Sequence, residues 1–299
     1  MSEASASVPE TVGVVGGGTM GVGIAYVYAA IGCRVSLVEP DLARQRALRE
    51  VLARAAASGV ARGKLTPAEA AALPARIGVL TAPSELPAGL DLVVETVPEI
   101  PALKHGVLAE IARRTPRLLA TNTSSISIDA LARSSGDPSR FLGMHFFNPV
   151  WSLPMVELVR GAATSPEALD LARRCAEALG KTTIVSGDVP GFATSRLDVL
   201  SAMEAIRMLE DGVASAADID TAMVTAFRHP VGPLRLSDIV GLDVRLDIGL
   251  HLAGALGERF APPKLLKDKV ARGELGVKSG RGFYDWAETR AFVSRGERA

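Results

Sequence analysis

Apolar positions in the first 190 or so residues fall into short unbroken runs, separated by stretches with helical spacing. Val12–Val15 is a β-rich run that ends in glycines. Met20–Ile31 is apolar with the period of a helix, and Arg34–Val38 is β-branched again and closes on Glu39. Strand, glycine turn, helix and strand within about 30 residues make a βαβ unit. Its strands do not alternate in polarity, as expected for a parallel sheet covered on both faces. The same alternation of elements continues downstream. Helices are predicted over Asp41–Ala61, Pro67–Leu73 (with Thr66 as N-cap), Ala102–Arg113, Ile128–Arg133 and Pro166–Leu179, the last stopped by Gly180. Strands are predicted at Ile77–Leu80, Leu90–Glu95, Leu118–Thr121, Phe141–His145, Met155–Arg160 and Thr182–Ser186.

The texture changes at Asp188-Val189-Pro190-Gly191, where Pro-Gly marks a turn. Beyond it the strands cease. Helical periodicity runs through Phe192–Glu210, Ala216–Ala226, Leu242–Leu256 and Pro263–Arg272. The expected fold class is α/β: a Rossmann-type, mostly parallel sheet domain over residues 1–188, then a smaller all-α domain over 189–299.

Composition narrows the function classes. Of 299 residues, 33 are Lys or Arg and 33 are Asp or Glu, so no global field attracts nucleic acid or an anionic membrane. Two cysteines, Cys33 and Cys175, are too few for a disulfide framework and fit a reduced, cytoplasmic chain. The first ten residues lack the basic and apolar segments of a signal peptide. No apolar run approaches the roughly 20 residues of a membrane span. The four histidines and two cysteines show no metal-ligand spacing, and no metal is expected.

Candidate chemistry begins at Gly16-x-Gly18-x-x-Gly21, which follows a strand and opens a helix. Gly16 permits a tight turn, Gly18 lets the backbone approach a pyrophosphate, and Gly21 lets helix and strand pack closely. The free N–H groups of the helix start, at Thr19 and Met20, favour phosphate. Glu39 ends the second strand, 18 residues after Gly21, where it can accept from ribose hydroxyls and repel a 2′-phosphate. NAD is therefore expected rather than NADP. The alternatives are a ligand-free glycine turn and FAD, which uses a similar fingerprint; the later motifs argue against FAD.

Thr121-Asn122-Thr123-Ser124-Ser125 and His145-Phe146-Phe147-Asn148-Pro149 each follow a strand, at the carboxyl edge where ligands bind in open α/β sheets. Glu157 lies within the apolar run Met155–Val159. A carboxylate there is costly unless paired, and a histidine on the neighbouring segment is its natural partner. Such a His–Glu pair suits removal of an alcohol proton during hydride transfer, or it is a structural pair; spacing leaves both open.

Taken together these motifs resemble the L-3-hydroxyacyl-CoA dehydrogenase family. Supporting runs are Pro190-Gly191-Phe192, Glu204-Ala205-Ile206, Asp218-Ile219-Asp220, His229-Pro230-Val231-Gly232-Pro233 and Gly280-Arg281-Gly282-Phe283-Tyr284, so the resemblance spans about Thr11 to Trp286. It implies an NAD-dependent enzyme of fatty-acid metabolism that oxidises an L-3-hydroxyacyl thioester. His145 would be general base, Glu157 its support, Ser124 a substrate contact, and Asn148 a neighbour of substrate and nicotinamide. Glu99, Lys104, Asn122 and Lys278 would contact the cofactor. The resemblance also implies an active site between the two domains and a homodimer built through the helical one.

Two positions depart from the family pattern. Ser195 stands where an asparagine is usual, and Val150-Trp151-Ser152-Leu153-Pro154 replaces a lysine-containing run. Ser195 and Trp151 are therefore expected to shape the acyl pocket, and they leave the thioester open between acyl-CoA, an unusual acyl-CoA and an acyl-carrier protein. Arg44, Arg46 and Arg49 are candidates for CoA phosphates. A non-enzymatic, NAD-binding role is the contrasting reading, and the retained His–Glu pair argues against it.

Overall fold

The computed structural model describes residues 9–287. They divide into two compact units that part after Phe192.

The first unit is built on eight strands: β1 (Thr11–Val15), β2 (Arg34–Val38), β3 (Ile77–Leu80), β4 (Leu92–Glu95), β5 (Leu119–Thr121), β6 (Phe141–Phe146), β7 (Met155–Arg160) and β8 (Thr182–Gly187). Their order across the sheet is β3-β2-β1-β4-β5-β6-β7-β8. Every neighbouring pair is parallel except β6 and β7. That exception follows from chain length. Only residues 147–154 join the two strands, too few for the crossover a parallel pair needs.

Successive strand residues face opposite layers. Val12, Val14, Leu92, Val94, Leu142 and Met144 enter one core with Ile24 of α1 (Thr19–Ala30), Leu48 and Leu52 of α2 (Leu42–Ala61) and Ala172 of α6 (Pro166–Glu177). Val93, Leu119, Phe141 and Val159 enter the other, with Leu108 and Ile111 of α4 (Pro101–Ala112) and Ile128 and Leu131 of α5 (Ile128–Ala132). Burial on both faces explains the unbroken apolar runs. The short α3 (Pro67–Ala72) starts at Thr66, whose hydroxyl accepts the Glu69 N–H while Glu69 reaches back, a complete capping box.

Several boundaries differ from the sequence expectation, and two of them have clear local reasons. β4 begins at Leu92 rather than Leu90, because Asp91 turns its carboxylate to the N–H groups of Glu10 and Thr11. The first helix of the second unit, α7 (Thr194–Glu210), starts two residues late, because Gly191 and Phe192 both take positive φ, 75° and 47°.

The second unit is helical. α7 is followed by α8 (Ala216–Phe227), α9 (Pro233–Val240), α10 (Leu242–Leu256) and α11 (Lys264–Ala271) around Met203, Ile206, Leu234, Leu252 and Leu266. Periodicity did not predict α9. Its cap is supplied from α8: Asp220 accepts the N–H groups of Leu234 and Arg235 at 2.9 and 2.8 Å. Fully buried Asp238 on α9 then accepts from Phe283 N, Tyr284 N and Trp286 Nε1, which fixes the glycine-rich run before Tyr284.

Candidate active site

The carboxyl end of β1 leads into the glycine loop. Gly16 sits at φ 113°, a conformation that side-chain-bearing residues rarely adopt. A Cβ on Gly21 would lie 1.8 Å from the Gly16 carbonyl oxygen, so α1 seats directly on the turn. Gly18 is the N-cap of α1 and provides no side-chain acceptor, and a Cβ there would meet nothing within 4 Å. The outer side of the loop is thus open, with helix N–H groups at its end, as a pyrophosphate requires.

Glu39 is buried at the end of β2. Its Oε2 accepts the N–H of Gly17 at 3.1 Å and its Oε1 accepts that of Asp41 at 2.9 Å. Gly17 was not singled out in the sequence, although the unbroken Gly16-Gly17-Gly18 run carried the signal: a Cβ at 17 would overlap the Glu39 carboxylate. These residues line a cavity of about 550 Å³ between the ends of β1 and β4, closed by Thr81–Pro83, Thr96–Pro98, Leu103 and Val107. This is where the strand order reverses direction, the dinucleotide crevice of such sheets. Arg44 lines the same cavity, while Arg46 and Arg49 face a different groove beside β3. The three arginines therefore do not form one phosphate pocket.

Three and four strands along from β1, His145 on β6 and Glu157 on β7 are direct cross-strand partners of the antiparallel pair. The register puts both side chains on one face, and His145 Nδ1 lies 3.1 Å from Glu157 Oε2. Glu157 is fully buried and His145 nearly so. The ring of Phe147 tilts against the imidazole at 4.4 Å and that of Phe192 meets it edge-on at 6.2 Å. With Nδ1 facing Glu157, the second ring nitrogen, Nε2, points away from the pair.

Between loop and pair, β4 and β5 end in a charged network. Glu95 is fully buried and accepts from Lys104 Nζ at 2.9 and 3.1 Å, Thr121 Oγ1 at 2.7 Å and Val97 N at 2.6 Å. Lys104 also donates to Val97 O at 3.1 Å and lies 3.3 Å from Glu99 Oε2. The other oxygen of Glu99 accepts from Thr123 Oγ1 and Ser124 N, both at 2.8 Å. Burial pushes the Glu95 carboxyl up from its ordinary value, against the opposing pull of Lys104.

Two family models cover the chain: the 3-hydroxyacyl-CoA dehydrogenase NAD binding domain matches residues 11–189 and the C-terminal domain of the same family matches 191–286. The chain belongs to this family. It is an NAD-dependent oxidoreductase. A 3-hydroxybutyryl-CoA dehydrogenase of Mycobacterium tuberculosis is 42% identical over 93% of the chain and 98% of its own length. The crystal structure of (S)-3-hydroxybutyryl-CoA dehydrogenase from Ralstonia eutropha superposes with a TM-score of 0.87 at 37% identity, over 93% of this chain and 99% of that one. A 3-hydroxyadipyl-CoA dehydrogenase of Escherichia coli is 38% identical over 95% of the chain and 60% of its own length.

In the dehydrogenase the remaining expected residues have varied surroundings. Ser124 is exposed at the edge of the sheet and bound to Glu99, and Ser127 caps α5. Asn122 turns its Oδ1 to Phe146 N at 2.8 Å. Asn148 is exposed just beyond β6. Lys104 does not line the cavity beside the glycine loop, since protein oxygens engage its ammonium and burial removes it from solvent. Trp151 packs edge-on against Tyr26 of α1, with ring centroids 6.0 Å apart, as a neighbour of the core. In the helical unit, Ser195 is half-buried in the first turn of α7, and Lys278 pairs with Asp243 at 2.5 Å.

Glu95, Thr96 and Phe192 escaped the sequence reading as site residues. The argument applied to Glu157, a carboxylate on an apolar strand, applies equally to Glu95 at the end of Leu92–Glu95. Thr96 Oγ1 reaches the carbonyls of Val15 and Gly16, a contact between strands that no local pattern encodes. Among the described residues no group of three or more His, Cys, Asp or Glu could hold a metal ion, and no helix is long and apolar enough to cross a membrane.

Proposed function

We propose that the dehydrogenase reversibly oxidises an L-3-hydroxyacyl-CoA, 3-hydroxybutyryl-CoA among them, to the 3-oxoacyl-CoA. The observation that carries the reading is the His145–Glu157 pair, in register on the sheet that bears the dinucleotide loop. NAD, when bound, would supply the acceptor for the hydride leaving C3 of the substrate. His145 takes the hydroxyl proton at Nε2 and returns it in the reverse direction. Glu157 holds the ring in one tautomer and offsets the positive charge that develops on it. Ser124 and Asn148 bind the reacting oxygen. Glu99 and Asn122 serve the cofactor's nicotinamide half. Glu39 receives the adenosine ribose hydroxyls and disfavours a 2′-phosphate.

The test is NADH formation with 3-hydroxybutyryl-CoA, longer 3-hydroxyacyl-CoA thioesters and 3-hydroxyadipyl-CoA. His145→Gln should abolish turnover while NADH binding persists. Unchanged turnover in that variant would sink the mechanism. Ser195 motivates a second reading, in which the same chemistry acts on a carrier-protein thioester. Arg46 and Arg49, which share the groove beside β3, favour CoA phosphates. A carrier-protein thioester turned over faster than its CoA counterpart would reverse that preference.

The enzyme is further read as a cytoplasmic homodimer assembled through residues 189–299. Support comes from exposed apolar side chains on the helical unit, among them Leu197 and Phe227, each 69% exposed, Val213 and Ile239. Light scattering at twice the 31.2 kDa chain mass is the expected result. Both cysteines are free and buried, as suits a reducing compartment.

A further inference from the structure

We infer that Glu95 is a positioning residue of this enzyme, one that acts through Lys104 and Glu99 to hold Ser124 at the sheet edge. The inference rests on the role just proposed for Ser124.

Glu95 and Lys104 are the most deeply buried ion pair among the described residues, at 0% and 1% side-chain exposure. Burying two charges brings a desolvation penalty that mutual attraction only partly offsets, so such a pair is weak as a device for stability alone. Its connections give it another use. Val97 is gripped from both sides, its N–H by Glu95 and its carbonyl by Lys104. Val97 lies in the β4–α4 connection that walls the cofactor cavity, and Thr96 in that connection is tied to the phosphate loop. On the far side, Lys104 holds one oxygen of Glu99, which leaves the other for Thr123 and Ser124. One buried carboxylate thus fixes both the cavity wall and the segment that carries Ser124.

The donor count explains why the residue must be an anion. Lys104, Val97 and Thr121 together direct donors at both Glu95 oxygens. A glutamine has the same size, but its amide nitrogen is itself a donor and would face donors. Lys104 would then keep only Glu99 as a carboxylate partner and draw it away from Ser124.

Glu95→Gln, Glu95→Asp and the double variant Glu95→Gln/Ser124→Ala test this in the full chain. Glu95→Gln should lower kcat by about tenfold to a hundredfold, the scale set by misplacing a reacting group by about an ångström. Glu95→Asp should recover part of that loss, and the double variant should be no slower than Ser124→Ala alone. Hydrogen exchange supplies a readout independent of turnover: Glu95→Gln should speed exchange of the peptide carrying the Ser124 amide and leave peptides from β8 and α6 unchanged. Additive losses in kcat, or acceleration spread evenly over the first unit, would overturn the inference. A wild-type enzyme inert toward every hydroxyacyl thioester would remove the proposed function, and the exchange pattern would still decide the Glu95 linkage.

Discussion

The side-chain oxygen of Asn122 accepts the N–H of Phe146, the residue after His145, at 2.8 Å. Asn122 also donates its own N–H to the Glu95 carbonyl. One side chain at the end of β5 therefore anchors the strand that carries the imidazole, and its amide nitrogen is the part left to meet a ligand. Asn122→Ala should leave a buried N–H without an acceptor, at about 1–3 kcal/mol of stability. Turnover should fall more than NADH affinity, because the strand end that slackens belongs to His145. Urea unfolding and NADH titration of the same variant separate the two effects; full stability with normal kcat would contradict them.

The glycines of the phosphate loop should fail in different ways. An alanine at Gly18 finds nothing within 4 Å, so Gly18→Ala should fold as the wild type does. Its methyl group enters the space a pyrophosphate needs, and NADH affinity should drop at least tenfold, about 1.4 kcal/mol. Gly21→Ala meets the Gly16 carbonyl at 1.8 Å and must push α1 off the loop. That variant should lose thermal stability as well as affinity. Equal melting temperatures for the two variants would argue against this division.

Phe192 combines a buried ring against His145 with φ 47°, where a Cβ is crowded by its own backbone. Removing the ring is destabilising in any variant, by about 3–5 kcal/mol for truncation to alanine. Glycine is free of the backbone strain, so Phe192→Gly should be more stable than Phe192→Ala by about 1 kcal/mol, against the usual order. Denaturant midpoints of the two proteins measure the difference. Both should turn over slowly, since the imidazole loses its edge-on support.

The parts legible in the sequence share a local cause. β1, α1, β2 and the glycine loop are written in consecutive residues, and Glu157 was paired with a histidine because a lone carboxylate inside an apolar strand has few alternatives. What escaped was supplied by a neighbouring element of the fold. The cap of α9 comes from Asp220 on the preceding helix. Lys104 was expected at the cofactor from the resemblance, and no residue pattern pointed to its burial between Glu95 and Glu99. Trp151, expected beside the substrate from its place after His145, packs edge-on on Tyr26, more than a hundred residues earlier, a contact no local pattern encodes.

The helical unit carries its own pH signature at Glu274. Arg272 and then Lys269 donate to this carboxylate and hold it down to about 2 from an ordinary 4.5. Lys269 also donates to the Gly282 carbonyl at 2.8 Å, so the ion pair pins the run before Tyr284. A depressed acid stabilises the fold fully above its unfolded value and loses that contribution as pH falls through the folded one. Glu274→Gln should therefore be less stable than wild type at neutral pH. With both partners partly solvated, the gap should be at most about 1 kcal/mol and should shrink with added salt. It should narrow below pH 4.5 and close near pH 2. Trp286 fluorescence in a Trp151→Phe background follows unfolding of this unit by itself, because the chain has only these two tryptophans. A gap that stays constant from pH 7 to pH 2 would mean that the substitution acts through packing and not through charge.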